Sequence, residues 1–168
     1  TVTALLGDGT GLFLTRVDSP IGALPRALAV ADLNGDLIVD VAMAMQAGNE
    51  VRVMLGVGDG SFGTAQAFPA NNTPFGIVIG DFNEDTRPDI AVPNRSAVSN
   101  SVSVLFGAGD GTFGAPTPFA VGSLPSAVAA GYLNNDAHLD IVSVNQTSNN
   151  VTVLLGSGAG TFPTRQDF

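Results

Sequence analysis

Residues 32–40 read DLNGDLIVD, with carboxylate or amide side chains at the first, third, fifth and ninth positions. The run ALAVA precedes them and VAMAM follows. Only 12% of the chain is charged, so three acids in nine residues between two apolar runs need a reason. The same spacing returns as DFNEDTRPD (81–89) and YLNNDAHLD (132–140). A second motif keeps the same step of roughly 50 residues: LLGDGTGLF (5–13), MLGVGDGSF (54–62), LFGAGDGTF (105–113) and LLGSGAGTF (154–162). Pro25, Pro74 and Pro125 each stand seven residues before an acidic loop. The extra length of the middle repeat falls in the polar stretch NRSAVSNS, where a loop absorbs it.

Each repeat holds four short segments. One runs into the acidic loop (PRALAVA) and one leaves it (VAMAM, IAV, IVSV). The third is VRVMLG, SVSVLFG or VTVLLG, and the fourth starts at the Phe after the glycine turn (FGTAQAF). Alternation and β-branched residues make these strands. Asp59-Gly60 and Asp110-Gly111 sit where a tight hairpin favours positive φ. Pro116, Pro118 and Pro163 place the fourth segment at a sheet edge, since proline donates nothing to a ladder. Four strands per repeat with the edge strand last is the pattern of a propeller blade. A solenoid of β-turns is the alternative, though its repeats are usually shorter. The expected fold is therefore all-β, a β-propeller of four-stranded antiparallel blades. The single repeat domain 1–168 divides into a half blade (1–22) and blades at 23–72, 73–122 and 123–168. Fourteen strands make three and a half blades, fewer than a closed ring of four to eight. A piece of a longer propeller chain is the first expectation, and the chain opens on Thr1 rather than Met. A homo-oligomeric ring is the second.

The 168 residues are 45% hydrophobic, with 21 Gly, 10 Pro and no Cys, which removes disulfides and thiolate metal sites. There is no Lys; six Arg stand against 15 acids for a net charge of -9. Without a basic stripe, no nucleic-acid partner is expected. No apolar run approaches the roughly 20 residues of a membrane helix, so no membrane insertion is expected. GVGDG and GAGDG lack the following helix and Lys of a phosphate loop. No nucleophile elbow, HExxH or cysteine nucleophile is visible, and the acids available as a glycosidase pair coincide with the repeated loops. Asn71, Asn94, Asn145 and Asn150 open N-x-S/T triplets; Asn71 stands where other repeats have Gly22 and Gly122, which points to a left-handed backbone there.

Hard cations such as calcium take six to eight oxygen ligands. The loop pattern offers side-chain oxygens at positions 1, 3 and 5, a carbonyl at 7 and a carboxylate at 9. The candidate ligands are Asp32, Asn34, Asp36, the Ile38 carbonyl and Asp40 in the first loop. In the second they are Asp81, Asn83, Asp85, the Arg87 carbonyl and Asp89. Turn capping alone would also use Asp and Asn. The recurrence of Asp at position 9 in phase with the repeat favours calcium as the cofactor. An EF-hand does not fit, because the flanks are strands and no Glu stands at position 12. In the third loop Tyr132 replaces the first Asp, leaving Asn134, Asp136, the His138 carbonyl and Asp140; weak or no binding is expected there.

The DxNxDxxxD loops, the LLGxGDGTF-like motifs and their common step resemble FG-GAP/VCBS repeats, the blades of integrin-α-type propellers. The resemblance covers essentially the whole chain. It implies a calcium site between the first two strands of each blade, on the residues just named. Where the family often has Gly at position 6, this chain has Leu37, Thr86 and Ala137. The resemblance implies a non-catalytic extracellular module acting in adhesion or in recognition of a protein or glycan ligand. The propeller part of a polysaccharide-acting enzyme and a structural unit of a surface fibre are the alternatives.

Overall fold

Strand-forming segments broken by glycine turns and acidic loops fold into fourteen β-strands in the computed structural model, which describes residues 1–168. Strands β1 (Val2–Gly7) and β2 (Phe13–Ser19) pair alone. Three four-stranded sheets follow. The first holds β3 (Pro25–Ala31), β4 (Asp40–Met45), β5 (Glu50–Met54) and β6 (Gln66–Pro69). The second holds β7 (Val78–Gly80), β8 (Asp89–Asn94), β9 (Ser101–Leu105) and β10 (Thr117–Ala120). The third holds β11 (Pro125–Gly131), β12 (Asp140–Asn145), β13 (Asn150–Leu155) and β14 (Thr164–Asp167). Every neighbouring pair is antiparallel and the spatial order is the chain order. The fold is all-β: a partial β-propeller of three blades and half of another. No helix is long and apolar enough to cross a membrane.

Hydrophobic burial, the main favourable term in folding, is concentrated where blades meet. Ile21, Val41, Met43, Met45 and Met54 join the half blade to the first full blade. Leu33, Ala42, Val51 and Val53 meet Ile90, Val92 and Leu105 of the next. Phe82, Ala91, Val102 and Val104 meet Ile141, Leu154 and Phe162 of the last. In the three full blades the Phe after the glycine turn, Phe62, Phe113 or Phe162, reaches back onto the preceding unit. Phe113 packs edge-on against Phe68 at 5.4 Å, and Phe162 against Phe119 at 4.8 Å and Phe82 at 6.1 Å. At the two ends the same surfaces lie open, with Leu5, Phe13, Leu14 and Phe168 exposed.

The fourth strand of each sheet lies at the edge as expected, with Pro118 inside β10 and Pro116 and Pro163 just before β10 and β14; Pro69 lies in the edge strand β6. One proline was not foreseen. Pro93 sits in the central strand β8, and its missing N–H coincides with a shortened β7. Ladder pairing there covers only Val78–Gly80, whereas β3 pairs with β4 from Pro25 to Ala31. The glycine turns also differ from expectation in detail. Gly58, Gly60, Gly109 and Gly111 take positive φ, but Asp59 and Asp110 do not. Those carboxylates instead accept the N–H and hydroxyl of Ser61 and Thr112.

Candidate functional site

The acidic loops join the first and second strands of each full blade and so lie at the same end of every blade. In the first loop Asp32 Oδ1 accepts the N–H groups of Asn34, Gly35 and Asp36 at 3.3, 2.7 and 3.2 Å, and Oδ2 accepts that of Leu37 at 2.8 Å. These bonds, Leu37 foremost, hold the Asp32 carboxyl below the usual carboxylate value. Winding the backbone around one carboxylate forces positions 4 and 6 into the left-handed region: Gly35 at φ 80° and Leu37 at 67°. The second loop repeats the device with Glu84 at 59° and Thr86 at 69°. Asp81 there accepts the N–H groups of Asp85 and Thr86 at 3.2 and 2.9 Å. A β-branched residue at positive φ is a true outlier, so Thr86 marks a backbone held by its surroundings.

The third loop is built differently. Tyr132 has no carboxylate for the loop N–H groups to donate to and its side chain is exposed, and neither Asn135 nor Ala137 is left-handed. Asn134 and Asp136 keep their local bonds: Asn134 Nδ2 donates to Asp136 Oδ2 at 2.7 Å, as Asn34 does to Asp36 at 2.9 Å and Asn83 to Asp85 at 3.0 Å. Position-7 side chains turn away over the glycine turn of their own blade. Ile38 lies against Gly58, Arg87 against Gly109 and His138 against Gly158. His138 Nδ1 reaches Glu84 Oε1 of the neighbouring loop at 2.5 Å, and that hydrogen bond raises its pKa above 6.5.

The ninth-position acids have a second job that the sequence reading missed. Asp40, Asp89 and Asp140 are completely buried. Each spans two backbone donors. Asp40 accepts Leu33 N–H at 2.8 Å and Gly56 N–H at 2.7 Å; Asp89 accepts Phe82 and Gly107, both at 2.9 Å; Asp140 accepts Leu133 and Gly156, both at 2.8 Å. The carboxylate thus staples the loop to the end of the third strand. The receiving position must be glycine, because a Cβ on Gly56, Gly107 or Gly156 would strike the carbonyl oxygen of Val39, Pro88 or Leu139. The signal for this was present: the glycine of the LLG or LFG motif recurs in phase with the acid. Burial pushes Asp89 up to about 6, and the charges of Asp85 and Asp81 add to the effect.

Oxygen donors at positions 1, 3, 5, 7 and 9 suit a hard cation in the first two loops. A carboxylate oxygen that accepts one N–H keeps a second lone pair for an ion. The acids are not drawn together around a point, however: no group of three acidic or histidine side chains could hold an ion as they stand. The Asn34–Asp36 and Asn83–Asp85 contacts occupy oxygens that an ion would take over.

The N-x-S/T asparagines turn inward. Asn94 and Asn145 are buried, and Asn71 donates to Ser103 Oγ at 2.8 Å. Asn71 is not left-handed, and of its counterparts only Gly22 is. Gly122 is needed for space, because a Cβ there would meet Ser148, Asn150 and Asn145.

No curated protein sequence matches this chain. Among solved structures it is similar to BBS1N in complex with ARL6DN, in crystals soaked with lead or mercury. Identity is 16% for both, with TM-scores of 0.53 and 0.55, over 86% of this chain. The match spans 44% of the BBS1N chain, less than half its length. It is also similar to the Vibrio cholerae biofilm matrix protein Bap1, at 15% identity and a TM-score of 0.39, over 83% of this chain and 28% of that one. The FG-GAP-like repeat family model matches residues 32–92. That stretch runs from Asp32 of the first acidic loop into β8 and contains the whole second loop. Residues 32–92 are thus similar to an FG-GAP-like repeat, in a chain with a partial β-propeller fold.

Proposed function

We propose that this chain is a non-catalytic, calcium-binding propeller module of an extracellular protein, acting in adhesion or in recognition of a protein or glycan. One observation carries the calcium reading. The first two loops, and only those, wind around their first Asp, with left-handed residues at positions 4 and 6. The third loop, with Tyr132 at that position, does not. Turn formation around the first Asp gives no reason for a second exposed carboxylate beside it at position 5, Asp36 or Asp85, since the two repel one another without a counter-ion. Extracellular modules bind calcium at roughly 10⁻⁴–10⁻³ M.

Calorimetric titration of metal-stripped protein with calcium tests this. Two sites per chain are expected, and one after Asp32→Asn. Three sites would overturn the reading of the third loop. No heat at millimolar calcium would overturn the calcium assignment itself.

A further inference from the structure

The blade ends opposite the acidic loops carry a second row of side chains that the calcium reading leaves unused. The residue after the repeated proline is Arg26, Phe75 or Ser126, and the residue after the second strand is Gln46, Arg95 or Gln146. These positions are equivalent in the backbone. Gln46 N–H donates to Leu24 O at 3.1 Å, Arg95 to Thr73 at 2.9 Å and Gln146 to Leu124 at 3.0 Å. Leu24, Thr73 and Leu124 are all left-handed, at φ 53°, 59° and 52°. The side chains join into one strip across three blades. The Arg26 guanidinium lies 5.3 Å and that of Arg95 4.7 Å from the centre of the Phe75 ring. Arg26 Nε–H donates to Gln46 Oε1, and Arg95 Nη2–H to Gln146 Oε1 at 2.7 Å.

Charge makes this strip unusual in a chain of net charge -9. Arg16, Arg52 and Arg165 pair with Asp18, Glu50 and Asp167, and the charge of Arg87 acts on Asp110. Arg26 and Arg95 have no acidic partner, and they are the two gathered on one ring. Their partners are neutral amides, and Arg95 Nε is buried with no acceptor at all. A guanidinium has five N–H donors in a fixed fork, so both retain unused donors. Carboxylates fit that fork through two parallel hydrogen bonds.

We infer that the Gln46–Arg26–Phe75–Arg95–Gln146 strip binds the carboxylates of an acidic polysaccharide of the uronate class. Two forks set along a strip suit a polymer carrying carboxylates at intervals. The uncharged amides beside them suit the hydroxyls of a sugar, and the Phe75 ring holds the two guanidinium groups in place between them. This deepens the recognition part of the proposed function and rests on it. It is independent of calcium, since β3 and β7 separate the strip from the loops.

The test is calorimetry of the 168-residue chain with an oligogalacturonate and with its methyl ester, at low salt in a chelating buffer. Chelation removes any binding through loop-held calcium, so this result and the calcium titration fail or succeed separately. The acid form is expected to bind, and the ester at least tenfold more weakly. Arg26→Ala and Arg95→Ala should each weaken binding at least tenfold, with Arg95→Lys between, and Arg16→Ala should change nothing. Arg26 is exposed, so its variant stays informative if loss of Arg95 disturbs folding, which circular dichroism reports. No binding at millimolar oligomer, equal binding of acid and ester, or indifference to both alanine variants would overturn the inference. Tighter binding of an oligoglutamate would overturn it too, by assigning the strip to acidic peptides.

Discussion

Asp89 offers a test of the buried staple that separates its charge from its hydrogen bonds. Its carboxyl is pushed from 3.8 up to about 6, chiefly by burial, while it accepts Phe82 and Gly107 N–H at 2.9 Å each. A raised native pKa means that the folded protein holds a proton the unfolded chain has released. Stability from this group is therefore complete below about pH 4 and falls as pH rises through about 6. A gap of roughly two pH units at 1.36 kcal/mol each makes the loss about 3 kcal/mol. Asp89→Asn cannot ionise and also turns an amide donor toward one backbone N–H, costing about 1–3 kcal/mol at any pH. In metal-free protein, urea unfolding at pH 4 and pH 7 should show the wild-type advantage over Asp89→Asn shrinking by about 3 kcal/mol. Comparing variants cancels Asp32, whose lowered pKa acts below about pH 4, and His138, whose raised pKa acts above 6.5. With saturating calcium the trend should reverse, because an ion favours the ionised form. An advantage that stays constant or grows with pH in chelator would refute the reasoning.

Two further outcomes follow from the blade interfaces and the third loop. Phe162→Ala empties a contact shared with Phe82 and Phe119 and should cost about 3–5 kcal/mol. Phe13, at the same repeat position but 63% exposed, should lose under about 1 kcal/mol when truncated. Equal costs in denaturant unfolding would show that packing between blades is not what holds the array. Tyr132→Asp restores the missing first-position carboxylate and should raise calorimetric calcium stoichiometry from two to three, with the new site the weakest because Ala137 is not left-handed.

The fold was legible because two motifs recur in register, and four strand-like segments recur between them with that period. The fourth strand was placed at the edge by its prolines, and the sheets bear that out. What escaped reading depended on partners distant in sequence. The shortened β7 follows from Pro93, in the neighbouring strand, rather than from anything within β7. Asn71 was read as a backbone requirement, but its amide answers to Ser103, 32 residues away. The Arg26–Phe75–Arg95 strip was invisible for the same reason: Arg26 and Phe75 are unlike residues at one position of successive repeats, Arg95 stands at another, and they meet only when blades stack.

The ninth-position acid changes what the loop motif says. Its recurrence weighed heavily toward a metal, yet Asp140 makes the same two backbone bonds in the loop that has lost its first Asp. A residue kept for stapling loop to strand would recur in every blade whether or not an ion is bound there. It therefore carries little weight by itself for calcium. The discriminating positions are the first, around which the backbone winds, and the fifth, which has no buried duty. By that measure the first and second loops stay candidates and the third does not, although all three end in Asp. The staple also gives an ion a mechanical route into the blade. Whatever fixes Asp40 or Asp89 fixes the strand end at Gly56 or Gly107. The glycine turns of the next blades rest on these same loops through Gly111 N–H to Leu33 O and Gly160 N–H to Phe82 O, both at 3.1 Å. Calcium held in one loop would thus stiffen the seam between two blades, an effect that no single-blade contact could supply.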